Sequence, residues 1–186
     1  MGRIRILGVS SSPRAGSNTA ILVNEALRGA LTIEGVETKF IALRGKRINF
    51  CVDCDQCPVE RTYCAQKDDM QEIYSAFIGA DVVVFATPMY WGYMTAQLKA
   101  VMDRMEAITG YFKGKTFVVL ITYRHHCEST VAFYKRICPY FGVDLHVITC
   151  RTMDEQENDI PITSLPEKLQ EAYALGESLR TLNMNS

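Results

Sequence analysis

Short apolar runs alternate along this chain with longer segments whose apolar residues recur every three or four positions. Ile4–Val9 is the first apolar run and reads as a buried parallel strand. After polar Ser10–Thr19, Val23, Ala26, Leu27, Ala30 and Leu31 share one helical face, and Gly35 closes the segment. Val36–Leu43, rich in β-forming residues, predicts a second strand. Asp68 predicts a helix N-cap with Gln71 completing a capping box, ahead of an apolar stripe of Met70, Ile73, Tyr74, Phe77 and Ile78. Val82–Ala86 is the clearest buried strand, and a loop at Thr87–Tyr93 leads to a helix marked by Leu98, Val101, Met102 and Met105. Thr116–Ile121 reads as strand four, Ser129–Phe141 as a helix and Val143–Thr149 as strand five. Arg151–Pro161 reads as a surface loop, and Ser164–Leu182 as the last helix.

Five strands alternating with five helices predict a doubly wound, five-stranded parallel sheet in a three-layer α/β/α domain over residues 1–186. A cysteine-rich loop at about residues 48–67 is inserted after strand two. Such sheets bind ligands beyond the carboxyl ends of their strands, where strand order reverses. The loops after strands one, two, three and four therefore share one edge.

Composition narrows the classes. With 186 residues, 48% of them hydrophobic, the chain has enough length for one sizeable core. A formal net charge of −1 without a basic run gives nucleic acid no electrostatic footing. Met1–Leu7 lacks the apolar core of a signal peptide, and no apolar run approaches the ~20 residues that cross a bilayer. The expectation is a cytoplasmic protein without a membrane partner. Seven cysteines, an odd number, do not suggest a disulfide framework.

The cysteines instead suggest metal or redox chemistry. Cys51, Cys54, Cys57 and Cys64 are spaced C-x2-C-x2-C-x6-C. Three thiolates at x2 spacing curl around an iron–sulfur cube, and the six-residue gap lets the fourth return to it. Zinc is the nearest rival, and small buried thiols that happen to cluster are the plain alternative. In the first loop, Ser10, Ser12, Ser17, Asn18 and Thr19 surround a helix start, where the dipole and unpaired N–H groups favour an anion. Arg14 adds charge, and Pro13 with Gly16 shapes the turn; an ordinary polar turn remains the other reading. Pro88, Met89, Tyr90, Trp91 and Gly92 offer a surface for a flat ring, or a subunit contact. Tyr123, Arg124, His125 and His126 crowd the fourth loop with donors, one of which would stabilise negative charge on a reduced cofactor. No nucleophile–base pair suggests hydrolysis, and no catalytic side chain is assigned.

Ser10–Arg14 with Gly16–Thr19, Thr87–Trp91, and Leu98-Lys99 with Asp103-Arg104 resemble the flavodoxin-like, NAD(P)H-dependent FMN reductases. The cysteine run followed by Lys67-Asp68-Asp69-Met70 resembles, more narrowly, the iron–sulfur flavoproteins. The resemblance implies a flavodoxin-like fold and FMN, its phosphate held by Ser10, Ser12, Arg14, Ser17, Asn18 and Thr19, with Pro13 in the same cofactor-binding turn. Pro88–Gly92 would flank the isoalloxazine, with Tyr123 and Arg124 nearby. It also implies a 4Fe–4S cluster on Cys51, Cys54, Cys57 and Cys64, and a homodimer or homotetramer. Ferredoxin or NAD(P)H would be the donor and a quinone or oxygen species the acceptor. The residues also leave room for a cluster-free FMN or quinone reductase, and for a flavin-based redox sensor. One departure stands out: many relatives carry glycines after strand four, where this chain has Tyr123–Cys127.

Overall fold

The structure, a computed structural model, describes residues 3–57 and 64–183. Residues 58–63 of the expected cysteine loop lie outside the described residues. The chain runs β1 (Ile4–Ser10), α1 (Asn18–Ala30), β2 (Val36–Ala42), α2 (Met70–Gly79), β3 (Val82–Tyr90), β4 (Tyr93–Met94), α3 (Ala96–Arg104), β5 (Thr116–Tyr123), α4 (Glu128–Tyr140), β6 (Asp144–Arg151) and α5 (Pro166–Asn183). Short 3-10 turns at Met105–Tyr111 and Ile162–Ser164 link the later elements.

Five strands pair in parallel in the order β2-β1-β3-β5-β6. That is the flavodoxin order, with its switch point between β1 and β3. The pleat sends alternate side chains to opposite faces, so each central strand feeds two cores. Leu7, Val9, Val83, Phe85, Phe117 and Val119 pack under α2, α3 and α4. Ile6, Val82, Val84, Val118 and Leu120 pack under α1 and α5. Val82–Ala86 is wholly buried, as its uniform apolar run requires.

Two local expectations are corrected. The stretch read as a loop from Thr87 to Tyr93 is mostly strand. Parallel pairing with β5 continues through Pro88, and Met89–Tyr90 then pairs antiparallel with β4. Trp91 and Gly92 turn the hairpin with φ of 49° and 71°. Two successive positive φ values match the twist of a two-residue hairpin loop. The capping box also fails to form. Asp69 is the N-cap residue and makes no side-chain capping bond, while the Gln71 amide donates to the Gln66 carbonyl (2.8 Å). Asp68 accepts from the Met70 N–H (3.1 Å), but its second oxygen is taken by a buried arginine, Arg104.

Candidate functional site: a cleft and a cysteine loop on one sheet edge

A cleft of about 730 Å³ opens at the carboxyl ends of β1, β3, β5 and β6. That volume suits a small-molecule ligand. Its floor is the β1–α1 turn. Ser17 caps α1, accepting from the Ala20 N–H at 3.3 Å, and its hydroxyl meets that of Thr19 at 3.1 Å. Thr19 in turn meets Ser10 at 3.2 Å. Ser12 Oγ accepts from the Arg14 N–H (3.2 Å), and Gly16 sits at φ +58°, where a glycine fits at no steric cost. The first turn of α1 carries no acidic residue, and its leading N–H groups lack intrahelical partners by geometry. Hydroxyls, free N–H groups and a nearby arginine form an anion cradle.

Buried threonines fix the second wall to the floor. Thr95 caps α3 by accepting from the Leu98 N–H, and its hydroxyl donates to the Ser11 carbonyl (3.3 Å). Its own N–H donates to Thr87 Oγ1 (3.2 Å). Beyond them Tyr90 and Trp91 stand at the rim, Trp91 fully exposed at the hairpin tip. Ser129, in the first turn of α4, donates to the Gly92 carbonyl and holds the tip in place.

Thr152, Asp159, Ile160 and Pro161 form the third wall. The segment read as a surface loop thus has an inner side. Asn18 latches it: the amide donates to the Ile160 carbonyl (3.5 Å) and accepts from the Ile162 N–H (3.1 Å). Arg124 donates to the Glu157 carbonyl (2.8 Å) and lies 3.4 Å from the Asp159 carboxylate. Much of its charge is therefore answered within the protein.

The cysteine loop leaves the same edge after β2, where the Leu43 N–H bonds the Ser10 carbonyl (2.8 Å). Its two ends are fastened together. The Arg47 N–H donates to Asp69, the Asn49 N–H to Asp68, and the Gln66 amide to the Phe50 carbonyl. Asp53 and Asp55, on either side of Cys54, take φ of 49° and 53°, a left-handed backbone that aspartate tolerates and that curls the chain. Cys51 and Cys54 are exposed, Cys57 half-buried and Cys64 buried. Burial pushes the Cys57 thiol up, and Cys64, Cys54 and Cys51 push it further, with a hydrogen bond to Cys64. Cys57 thus lies within electrostatic reach of the other three thiols. Even so, no group of three or more His, Cys, Asp or Glu side chains among the described residues is drawn tightly enough to hold a metal ion. Protonated thiols lack the attraction that closes a ligand shell; deprotonation and the ion itself supply it. The donor set, four thiols on a curled loop with fixed ends, suits a cluster.

Comparison with known proteins places this architecture. The model for the NADPH-dependent FMN reductases matches residues 4–172. The chain belongs to that family. It is 43% identical over 105 residues to an iron–sulfur flavoprotein of Methanocaldococcus jannaschii, covering 56% of this chain and 52% of that protein. It is also 44% identical over 114 residues to an iron–sulfur flavoprotein of Archaeoglobus fulgidus, covering 59% and 57%. The chain spans about half the length of the curated relatives it matches. Among solved structures, an NAD(P)H:quinone oxidoreductase from Methanothermobacter marburgensis superposes with a TM-score of 0.70 at 18% identity, covering 96% of both chains. That likeness speaks to the fold.

Within this family frame, most residues expected at the cofactor lie together. Ser12, Arg14, Ser17, Asn18, Thr19, Pro88, Met89, Tyr90, Trp91, Tyr123 and Arg124 line the cleft. Ser10, Pro13 and Gly92 do not: Ser10 is buried beneath it, and Gly92 turns the hairpin. Sequence reading did not single out Thr95, which ties α3 to the floor, or Thr152 and Asp159 of the third wall; Thr95 and Thr152 directly follow β4 and β6, while Asp159 lies in the acidic loop. His125 and His126 stand outside the lining, His126 3.8 Å from Glu128. Cys138 and Cys150 are core thiols, pushed by burial up to about 12 and about 11. Cys127 is likewise buried, and raised by burial.

Proposed function

We propose that FMN occupies the cleft, its phosphate at the N-terminus of α1, and that Cys51, Cys54, Cys57 and Cys64 hold a 4Fe–4S cluster. The protein then acts as a flavin-dependent oxidoreductase passing electrons between the two groups. The observation carrying this reading is that the loop bearing four free thiols, with Cys57 in electrostatic reach of the other three, and an anion cradle open from the same sheet edge. The relatives named iron–sulfur flavoprotein support it. When bound, FMN supplies one- and two-electron chemistry and the cluster single electrons.

The chain's own residues bind and orient. Ser12, Ser17, Thr19 and the first N–H groups of α1 donate to phosphate, Arg14 balances its charge, and Pro88–Trp91 pack beside the ring. The 152–161 loop, latched by Asn18, excludes water from the opposite side. Bulky Tyr123 and Arg124 in the lining narrow the approach of a free nicotinamide and favour ferredoxin over NAD(P)H as donor. A quinone or an oxygen species fits as acceptor. Exposed Tyr90, Trp91, Phe50 and Val52 suit contacts between copies in a homodimer or homotetramer. No described helix is long and apolar enough to cross a membrane.

Anaerobic purification and reconstitution test the reading. Broad sulfur-to-iron absorption beneath the flavin bands and about four irons per chain are expected. Zinc or no metal at all after reconstitution would leave a cluster-free FMN or quinone reductase. Turnover dependent on reduced ferredoxin separates electron transfer from NAD(P)H oxidation, and no turnover with any donor points to a redox sensor.

The cradle has its own test. Ser12→Ala removes one hydroxyl aimed at a dianion, a bond worth about 1.5 kcal/mol or more. Flavin affinity, read by fluorescence quenching, is expected to fall about tenfold while iron content holds. An unchanged affinity would make this loop merely a turn.

A further inference from the structure

Arg104 is a fully buried guanidinium that the binding of FMN does not call upon. It sits at the last residue of α3. One terminal nitrogen donates to the Asp68 carboxylate (2.5 Å) and to the Asn49 carbonyl (3.3 Å), and the other to the Gln66 carbonyl (3.3 Å). Asn49 precedes Cys51 and Gln66 follows Cys64, so one planar fork closes the cysteine loop at its base. Its Nε–H is buried without an acceptor among the described residues. Cys64 lies within electrostatic reach and favours the guanidinium's charge. At its other end, α3 starts from Thr95, tied to the floor of the cleft. Nine residues of helix, about 13 Å, thus join the two sites.

We propose that Arg104 is a positioning residue for the cluster: its fork holds residues 49 and 66 together so that the four thiolates face one centre, and its buried positive charge stabilises the anionic shell they form. This rests on the cluster reading above. Buried cations are costly and persist where a fixed negative partner answers them; Asp68 answers one charge, while a four-thiolate cluster brings more. Arginine is suited to the task because only a rigid fork reaches several acceptors at once.

The test compares wild type, R104K, R104M and D68N, each reconstituted with iron and sulfide and separately titrated with cobalt(II), whose thiolate charge-transfer bands report the site. R104M is expected to lose about 10–100-fold in cobalt affinity and to shift the cluster midpoint to more negative values, with FMN affinity unchanged. R104K should restore the midpoint but not the affinity, because lysine brings charge without the fork. Should R104M fail to fold, R104K and D68N carry the test, each expected to weaken cobalt binding while keeping FMN. Wild type with four irons and variants of equal affinity and midpoint would overturn the assignment alone. FMN and cobalt affinities falling together, with no change of midpoint, would mark a structural anchor and overturn it as well. Wild type that takes up neither iron nor cobalt would sink the cluster reading and the assignment with it.

Discussion

Cys54→Ala is expected to yield a protein that binds FMN like the parent but holds no complete 4Fe–4S cluster. Cys54 is exposed, so little packing is lost with its sulfur. The left-handed residues on either side are aspartates, and their conformation does not depend on the thiol. The loop ends are held by backbone and side-chain bonds of Arg47, Asn49, Gln66, Asp68 and Asp69, none of which involves residue 54. Cluster binding, by contrast, needs every thiolate, since each iron of the cube takes one protein ligand. The FMN cradle draws on other elements: the β1–α1 turn, the β3–β4 hairpin and the 152–161 loop. Iron and sulfide analysis after anaerobic reconstitution, beside a flavin titration, reads both. Retained iron would remove Cys54 from the ligand set, and FMN lost with the cluster would mean the two sites are not separable. Cys64→Ala is a poorer probe, because Cys64 is buried in the core under α2 and its removal leaves a void.

How much of this could be read from the sequence depends on the range of each interaction. Strand and helix faces are local patterns, and Val82–Ala86 or the stripe Met70, Ile73, Tyr74, Phe77 sits where its period placed it. The hydroxyls gathered at the start of α1 are equally local, and Ser17 among them proves to be its cap. The hairpin at Trp91–Gly92 was less legible, because a strand of two residues, Tyr93–Met94, is too short to show a period. Asp68 was misread for a different reason. Its spacing from Gln71 suits a capping box, but a charge 36 residues away outcompetes it. Burial works against ionisation of Asp68, yet the Arg104 bond and the Asn49 and Met70 N–H groups outweigh it and hold the carboxyl below its ordinary range. Nothing in the local sequence announces such a partner. The third wall was hidden by composition: Asp154, Glu155, Glu157 and Asp159 make the loop look solvated, while Asn18, more than 140 residues earlier, turns its inner side to the cleft.

Gly176→Ala is expected to lower the melting temperature and to weaken FMN with it, although alanine is the better helix former. The helices α1 and α5 cross with their backbones in contact at Gly29 and Gly176. A Cβ on Gly176 would lie 2.0 Å from the Ala26 carbonyl oxygen and 2.9 Å from the Ala30 nitrogen; one on Gly29 would lie 2.1 Å from the Tyr173 carbonyl oxygen. These obstacles are backbone atoms, so no side chain can rotate away and the helices must part. Overpacking of this kind costs up to about 3 kcal/mol, against roughly 1 kcal/mol gained from helix propensity. The net loss of about 2 kcal/mol corresponds to a fall of about 4–8 °C for a chain of this size. The functional link is α1 itself. Its face also packs on β1, where Val23 and Leu27 crowd Gly8, so parting from α5 tilts the helix whose N-terminus forms the phosphate cradle. Gly110→Ala is the control, since a Cβ there meets nothing within 4 Å and should change the melting temperature little. Thermal unfolding with and without FMN separates the effects. A Gly176→Ala protein that melts with the parent would mean the two helices do not touch, and a destabilised one with undiminished flavin affinity would mean the cradle is fixed by β1 and β3 rather than by the seat of α1.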